Sequence, residues 1–210
     1  MKTGIDYSLY LVTDQDLCLG RNLINVVMEA VQGGVNVVQI REKNSETRDF
    51  YELARAMKQS LKGKNVPLII NDRVDVAMAV DADGVHAGQK DLPCSVIRQI
   101  LGPDKIIGVS INTCEQIHEA LEQGADYLSL SPVYPTPTKT DTTEPFGING
   151  LIKARKMTTK PLITIGGINK SNIGEIMGTG MDGIALVSAI CSAPSPRHAA
   201  EELSKSIKTK

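Results

Sequence analysis

The sequence predicts an α/β protein, a single-domain (β/α)8 TIM barrel spanning residues 1–210. Three observations carry that prediction. Eight short apolar runs alternate with stretches of helical spacing, at about 26 residues per unit, close to the ~30 of a lean barrel. A Gly and Asn/Asp echo precedes only every second run, whereas the doubly wound open sheet, the runner-up, needs no such alternation. One long connection, 131–147, is far out of proportion to the rest.

The elements follow in order. The predicted strands are 9–13, 35–40, 68–71, 84–86, 106–110, 127–130, 162–165 and 183–187. The helical stretches are 23–32, 47–61, 74–80, 95–101, 115–123, 149–157, 171–179 and 196–207. The even strands are entered through Gly34-Val35-Asn36, Asp81-Ala82-Asp83-Gly84, Gly124-Ala125-Asp126 and Gly180-Met181-Asp182. A Gly can end a helix in a left-handed cap, and an Asn or Asp can take the turn into the strand. Strands 3 and 7 are entered through Pro67 and Pro161, at a strand start where no ladder donor is lost. Layers of side chains from alternate strands fill such a barrel, so a pattern that alternates by strand fits closure.

Composition bounds the function. Lys plus Arg is 23 against 24 Asp plus Glu, for a net charge of −1, and aromatic residues are 3% with no Trp. Neither a field for nucleic acid nor stacking platforms for its bases are present. No apolar run approaches the ~20 residues of a membrane span, and the first residues lack a signal-peptide core. The expectation is a soluble, cytoplasmic protein acting on small molecules, with a homo-oligomer left open. The four cysteines, Cys18, Cys94, Cys114 and Cys191, form no C-x-x-C pair and read as buried thiols of a reducing compartment.

Active sites of this fold lie at the carboxyl ends of the strands, so polar residues there are the candidates. Strand 2 ends in Gln39-Ile40-Arg41-Glu42-Lys43, with Gln39 and Arg41 on one face and Glu42 on the other. Arg41 needs an anion or a neighbouring carboxylate as partner. Asp72 follows Asn71 after strand 3, and Asp91 lies in the loop after strand 4. Beside Arg41 and Lys43 these carboxylates suit Mg2+ shared with a phosphorylated ligand; alternatively Asp72 and Asp91 cap the following helices. Ser110 at the end of strand 5 has no visible base partner and reads as a hydrogen-bond donor. His86, His118 and His198 show no triad logic, and the last two are expected in solvent. Gly166-Gly167 after strand 7 and Val187-Ser188 after strand 8 form the recurrent phosphate site of the fold, unless the glycines serve packing alone. The Pro-rich loop 131–147 hangs Thr136 to Lys139 between the two sites. Two anion sites on one cavity suggest an enzyme that joins two phosphorylated ligands or transfers a group between them.

Taken in order, Q-I-R-E-K at 39, I-N-D-R at 70, D-G-V-H-x-G-Q-x-D-x-P at 83, G-V-S at 108, P-T-P-T-K at 135, I-G-G-I at 165 and V-S-A-I at 187 resemble the thiamine phosphate synthase family. The resemblance covers nearly the whole chain. It implies a transferase that condenses hydroxymethylpyrimidine diphosphate with a thiazole phosphate, releasing pyrophosphate by a dissociative route. It further implies that Gln39, Ile40, Arg41, Glu42, Lys43, Asn71, Ser110 and Lys139 bind the pyrimidine diphosphate, with Arg41, Ser110 and Lys139 catalytic. Asp72 and Asp91 would hold Mg2+, and Thr136, Pro137, Thr138, Gly167, Val187 and Ser188 would bind the thiazole phosphate. The sequence departs from the family at Ala87, Asn112 and Ser131, where Leu, His and Gly are common; none is an implied ligand. The alternatives are a thiazole phosphate tautomerase, which lacks the diphosphate site, a sugar-phosphate epimerase, and a non-catalytic thiamine-precursor binding protein. The retained Asp72, Asp91 and Lys139 argue against the first and the last, and the epimerase needs acid/base carboxylates or metal-binding histidines that find no place in the sequence.

Overall fold

A computed structural model describes residues 4–136 and 144–208. Its strands are β1 (Leu9–Val12), β2 (Val37–Ile40), β3 (Leu68–Asn71), β4 (Gly84–Ala87), β5 (Ile106–Ile111), β6 (Tyr127–Leu130), β7 (Leu162–Ile165) and β8 (Gly183–Leu186). Each pairs in parallel with the next, and β8 pairs with β1, closing the barrel. The helices are α1 (Leu23–Gln32), α2 (Thr47–Leu61), α3 (Val74–Ala79), α4 (Cys94–Leu101), α5 (Gln116–Glu122), α6 (Gly147–Met157), α7 (Ile173–Gly178), α8 (Ser188–Cys191) and α9 (Pro196–Lys208). The expected elements are all present, with ends shifted by two residues or fewer. Two short pieces were not expected, the helix α8 and a 3-10 turn at Asp16–Cys18. Both are too short to show a period of 3.6 in sequence. Among the described residues no helix is long and apolar enough to cross a membrane.

Strand alternation divides the core in two. Leu9, Leu11, Val38, Ile40, Leu68, Ile70, Leu128 and Leu130 face the helices and join their apolar stripes. Tyr10, Val37, Ile69, Ile106, Tyr127, Ile163 and Ala185 fill the barrel interior. Tyr127 fits because Gly108 is opposite it: a Cβ there would lie 2.0 Å from the ring's Cζ. Further along the same inward rows come Gln39, Asn71, His86, Ser110 and Ser129, so the interior turns from apolar to polar toward the carboxyl ends.

The echo before the even strands has a definite structural role. Gly34, Asp81, Gly124 and Gly180 all have positive φ, as a left-handed helix end requires. The Asn and Asp side chains do more than turn the chain. Asn36 Oδ1 accepts from the Leu9 amide at 3.2 Å, Asp83 Oδ2 from Leu68 at 2.9 Å, Asp126 Oδ2 from Ile107 at 2.8 Å and Asp182 Oδ2 from Leu162 at 2.8 Å. Their own amides donate back to the carbonyls of the same four residues. Each even-strand entry is thereby tied to the preceding odd strand.

Candidate active site

A cavity of about 460 Å3 opens at the carboxyl ends of the strands. Of the implied site residues, Gln39, Arg41, Asn71, Ser110, Thr136, Gly167, Val187 and Ser188 line it. Ile40 does not; its side chain is fully buried on the helix side of β2. Glu42 also turns away, as alternation predicts, and its Oε2 accepts from Ser45 Oγ at 2.6 Å. Its Oε1 is buried without a hydrogen-bond partner among the described residues. Pro137, Thr138 and Lys139 lie outside the described residues.

One flank carries Arg41. Arg41 and Asp14 are the charged residues of the cavity lining; Lys43, Asp72 and Asp91 are not part of that lining. Arg41 is set by its own amide, which donates to Thr13 Oγ1 at 3.2 Å, and its side chain borders the cavity half-buried. Among the described residues no carboxylate pairs with its guanidinium. The salt bridge that the sequence allows is therefore not formed with any described residue, and an anionic ligand would fill that role. Asp72, held at a positive φ of 61°, pairs with Lys43 and reaches the Asp91 carboxyl. Burial, then the adjoining Asp91, pushes the Asp72 carboxyl above its usual value, while Lys43 opposes the rise. Asp91 Oδ2 accepts from the Gly88 amide at 2.7 Å. Neither aspartate caps a helix: the N-cap positions of α3 and α4 are Arg73 and Pro93, with no side-chain cap. Capping thus gives way to two adjoining hard-oxygen donors. That donor set fits Mg2+, which takes one or two carboxylates and completes its shell with phosphate oxygens and water.

The other flank is built from amides. Gly166 and Gly167 turn the chain after β7, and Asn172 Nδ2 fixes the turn by donating to the Gly167 carbonyl at 2.9 Å. A Cβ on Gly167 would stand 2.6 Å from Tyr134 Cβ, so the pair also serves close packing. The packing reading of the Gly-Gly turn thus has a contact behind it, and Gly167 also lines the cavity. Val187 precedes α8, and its carbonyl accepts from the Ile190 and Cys191 amides at 3.1 and 2.9 Å, while the Ser188 and Ala189 amides at the start of the helix have no backbone acceptor among the described residues. Pro132, Val133 and Tyr134, the root of the long loop, run beside this flank. The Val133 and Tyr134 amides donate to the Ile165 and Gly166 carbonyls at 3.0 and 3.1 Å. On the far side of the loop, Phe146 and Gly147 donate to the Pro132 and Val133 carbonyls at 2.9 and 3.0 Å.

The floor holds residues that sequence reasoning missed. Ser110 Oγ lies 2.9 Å from His86 Nε2, and His86 Nδ1 lies 2.9 Å from the Tyr127 hydroxyl. Ser110 therefore does have an imidazole beside it. The other ring nitrogen faces a neutral phenol rather than a carboxylate, so the pair lacks the orienting acid of a nucleophilic triad. Thr13, Asp14, Ser129 and Ser131 also line the cavity. For Ser129 and Ser131 a signal existed: alternation places both on the face of Tyr127. His118 and His198 are exposed, as expected.

A charged group opposite an amide flank suits phosphorylated ligands. The family model described as thiamine monophosphate synthase matches residues 9–190. The thiamine-phosphate synthase of Vibrio parahaemolyticus is 54% identical over 199 residues, 94% of this chain and 96% of that protein. That of Syntrophomonas wolfei is 53% identical, covering 90% of each chain. The solved thiamine phosphate pyrophosphorylase of Pyrococcus furiosus superposes with a TM-score of 0.88 at 40% identity, covering 97% of this chain and 96% of that one. Agreement of this extent, reaching through every strand of the barrel, means that the chain belongs to the thiamine monophosphate synthase family.

Proposed function

We propose that the chain condenses 4-amino-5-hydroxymethyl-2-methylpyrimidine diphosphate with 4-methyl-5-(2-hydroxyethyl)thiazole phosphate, giving thiamine phosphate and pyrophosphate. The observation that carries this is the Arg41 guanidinium, paired with no carboxylate among the described residues, facing the same cavity as the Gly167 and Ser188 amide flank. A monophosphate isomerase needs only the second of these. Arg41, with Lys43 and Asn71, takes the diphosphate, and Gly167, Val187, Ser188 and Thr136 take the thiazole phosphate.

Within that assignment Gln39 and Ser110 orient the aminopyrimidine from the cavity floor. Arg41 and Lys43 stabilise negative charge growing on the departing pyrophosphate. The ring's exocyclic carbon becomes cationic as the bond to oxygen breaks, and the thiazole nitrogen supplies the electron pair that forms the new bond. No protein nucleophile takes part. Asp72 and Asp91 would hold Mg2+, which when bound supplies further neutralisation of the diphosphate. Lys139, with Pro137 and Thr138, belongs to this scheme through the resemblance alone. A cytoplasmic location fits four free, buried cysteines.

The test is an assay with both phosphorylated precursors, with and without Mg2+, monitoring thiamine phosphate and pyrophosphate together. Equal yields of both products, lost on chelation and restored by Mg2+, are expected. Isomerisation of the thiazole phosphate with no pyrophosphate released would overturn the assignment in favour of a tautomerase.

A further inference from the structure

A chain of hydrogen bonds crosses the barrel interior beneath the cavity. Gln39 Nε2 donates to the Tyr10 hydroxyl at 2.8 Å. The Tyr10 and Tyr127 hydroxyls are 2.8 Å apart, Tyr127 is 2.9 Å from His86 Nδ1, and His86 Nε2 is 2.9 Å from Ser110 Oγ. Tyr10 and Tyr127 are fully buried, Gln39 and His86 nearly so. The chain joins β2, β1, β6, β4 and β5, and both its ends line the cavity.

A phenol has one proton to donate, so the links cannot be set independently. If Tyr10 receives the Gln39 amide proton, its own proton goes to Tyr127. Tyr127 then donates to His86 Nδ1, which must be the unprotonated nitrogen. The ring proton is left on Nε2 and is donated to Ser110 Oγ. The Ser110 proton is thereby released toward the cavity, and so is the Gln39 carbonyl oxygen. We propose that Tyr10, Tyr127 and His86 are positioning residues, a one-way hydrogen-bond relay that fixes His86 as its Nε2–H tautomer and presents Ser110 as a donor to the bound pyrimidine. Running the links backwards would require the Gln39 carbonyl at Tyr10 and would turn the Ser110 proton inward onto His86.

Two further features support the relay. Burial pushes both phenols far above their usual value, so neither loses the proton that the chain needs. The Tyr127 ring also stacks on His86, with ring centroids 5.5 Å apart and planes at 30°, which holds Nδ1 on the hydroxyl. The apolar floor around it, Val37, Ile69 and Ile163, offers no competing donor from its side chains.

The claim about Ser110 and the pyrimidine rests on the proposed reaction; the tautomer does not. In the ligand-free full chain labelled with nitrogen-15 at histidine, His86 is expected to show one pyrrole-like nitrogen, assigned to Nε2, and one pyridine-like nitrogen at neutral pH. A protonated Nδ1, an imidazolium or a mixture of tautomers would overturn the proposal whether or not thiamine phosphate is formed. Tyr127→Phe keeps the ring and removes the middle link. It is expected to lower kcat/KM for the pyrimidine diphosphate about tenfold, the size of one neutral hydrogen bond, with KM for the thiazole phosphate unchanged. The Tyr10→Phe/Tyr127→Phe double variant should lose little more, because a relay cut once is already cut. Losses that multiply, or that fall equally on both substrates, would mean a role in packing only. Should Tyr127→Phe fail to fold, the nitrogen spectrum of the unsubstituted chain decides alone.

Discussion

At the amino-terminal rim of the barrel, Asp83, Asp126 and Asp182 each accept a strand amide and also a basic side chain. The partners are Lys58 at 2.8 Å, Arg98 at 2.6 Å and Arg155 at 2.7 Å. Asn36, the neutral member of the set, takes the Ser8 hydroxyl at 2.9 Å instead. At the carboxyl-terminal rim the pattern reverses. Among the described residues no carboxylate pairs with Arg41, and Asp72 and Asp91 crowd each other. One rim pairs its acids with bases and strand amides of the fold; the other sets acid beside acid and leaves Arg41 without a carboxylate among the described residues. Stability and function are thus divided between the two ends, which is why an apolar floor lies between them.

The largest expected departure is at the open rim. Arg41→Ala should lower kcat by about 10²–10³, the usual loss when a donor to developing negative charge is removed. Since no carboxylate among the described residues pairs with its guanidinium, thermal unfolding should move by only about 2 °C. A fall in Tm comparable to that of a rim variant below would erase the distinction between the ends. At the closed rim the signs exchange. Asp126→Ala removes the acceptor of Ile107 and Arg98 together, and should cost about 2–4 kcal/mol in urea denaturation. Its kcat/KM should equal that of the unsubstituted chain at temperatures where it remains folded. Part of the cost is moderated because Arg98 keeps the carbonyls of Gly102, Lys105 and Gly124.

The division explains what the sequence alone disclosed. The barrel was legible because its causes are local: a period of two in 127–130, a period of 3.6 in 47–61, and a left-handed residue before each even strand. The role of Asp83, Asp126 and Asp182 was only half legible, since a turn is a short-range property while the accepted amide lies 15 to 20 residues away. Arg41, Ser110 and Gly167 could be placed on one rim because strand alternation fixes which way they point. The relay beneath them could not. Tyr10 and Tyr127 read as ordinary core residues, and their contact is 117 residues apart in sequence, a pairing that exists only once the barrel closes. His86, set aside for want of a triad, gained its role from the same closure.

A smaller effect sharpens the comparison between the two rims. Gly63 and Gly167 both have left-handed backbones, with φ of 78° and 67°, yet a Cβ on Gly63 meets nothing within 4 Å. Gly63→Ala should therefore cost only the backbone strain, about 1–2 kcal/mol. Gly167→Ala should cost a further 1 kcal/mol or so from overpacking against Tyr134. It should also raise KM for the thiazole phosphate while leaving KM for the pyrimidine diphosphate unchanged. A rise in both would mean that the two flanks are not separable.

The smallest effect concerns the thiols, which happen to report on one rim. Cys18, Cys94, Cys114 and Cys191 all follow the carboxyl ends of strands, after β1, β4, β5 and β8 respectively. All four are buried and unpaired in disulfides. Burial pushes the Cys94 thiol up to about 11 and Cys191 up to about 12, and raises Cys18 and Cys114 as well. At pH 8 the thiolate fraction of Cys94 is about one in a thousand, so alkylation must await an opening that rehydrates the site. Loops that carry a binding site are drawn from the low-stability end of a fold, so local opening at this rim should precede global unfolding. Iodoacetamide labelling followed by peptide mass should then find Cys114, the most accessible at 8%, modified first and Cys191 last. The same rate at all four, equal to the rate of global unfolding, would show that the carboxyl-terminal rim is as tightly held as the other, and the candidate site would then leave no trace in its local stability.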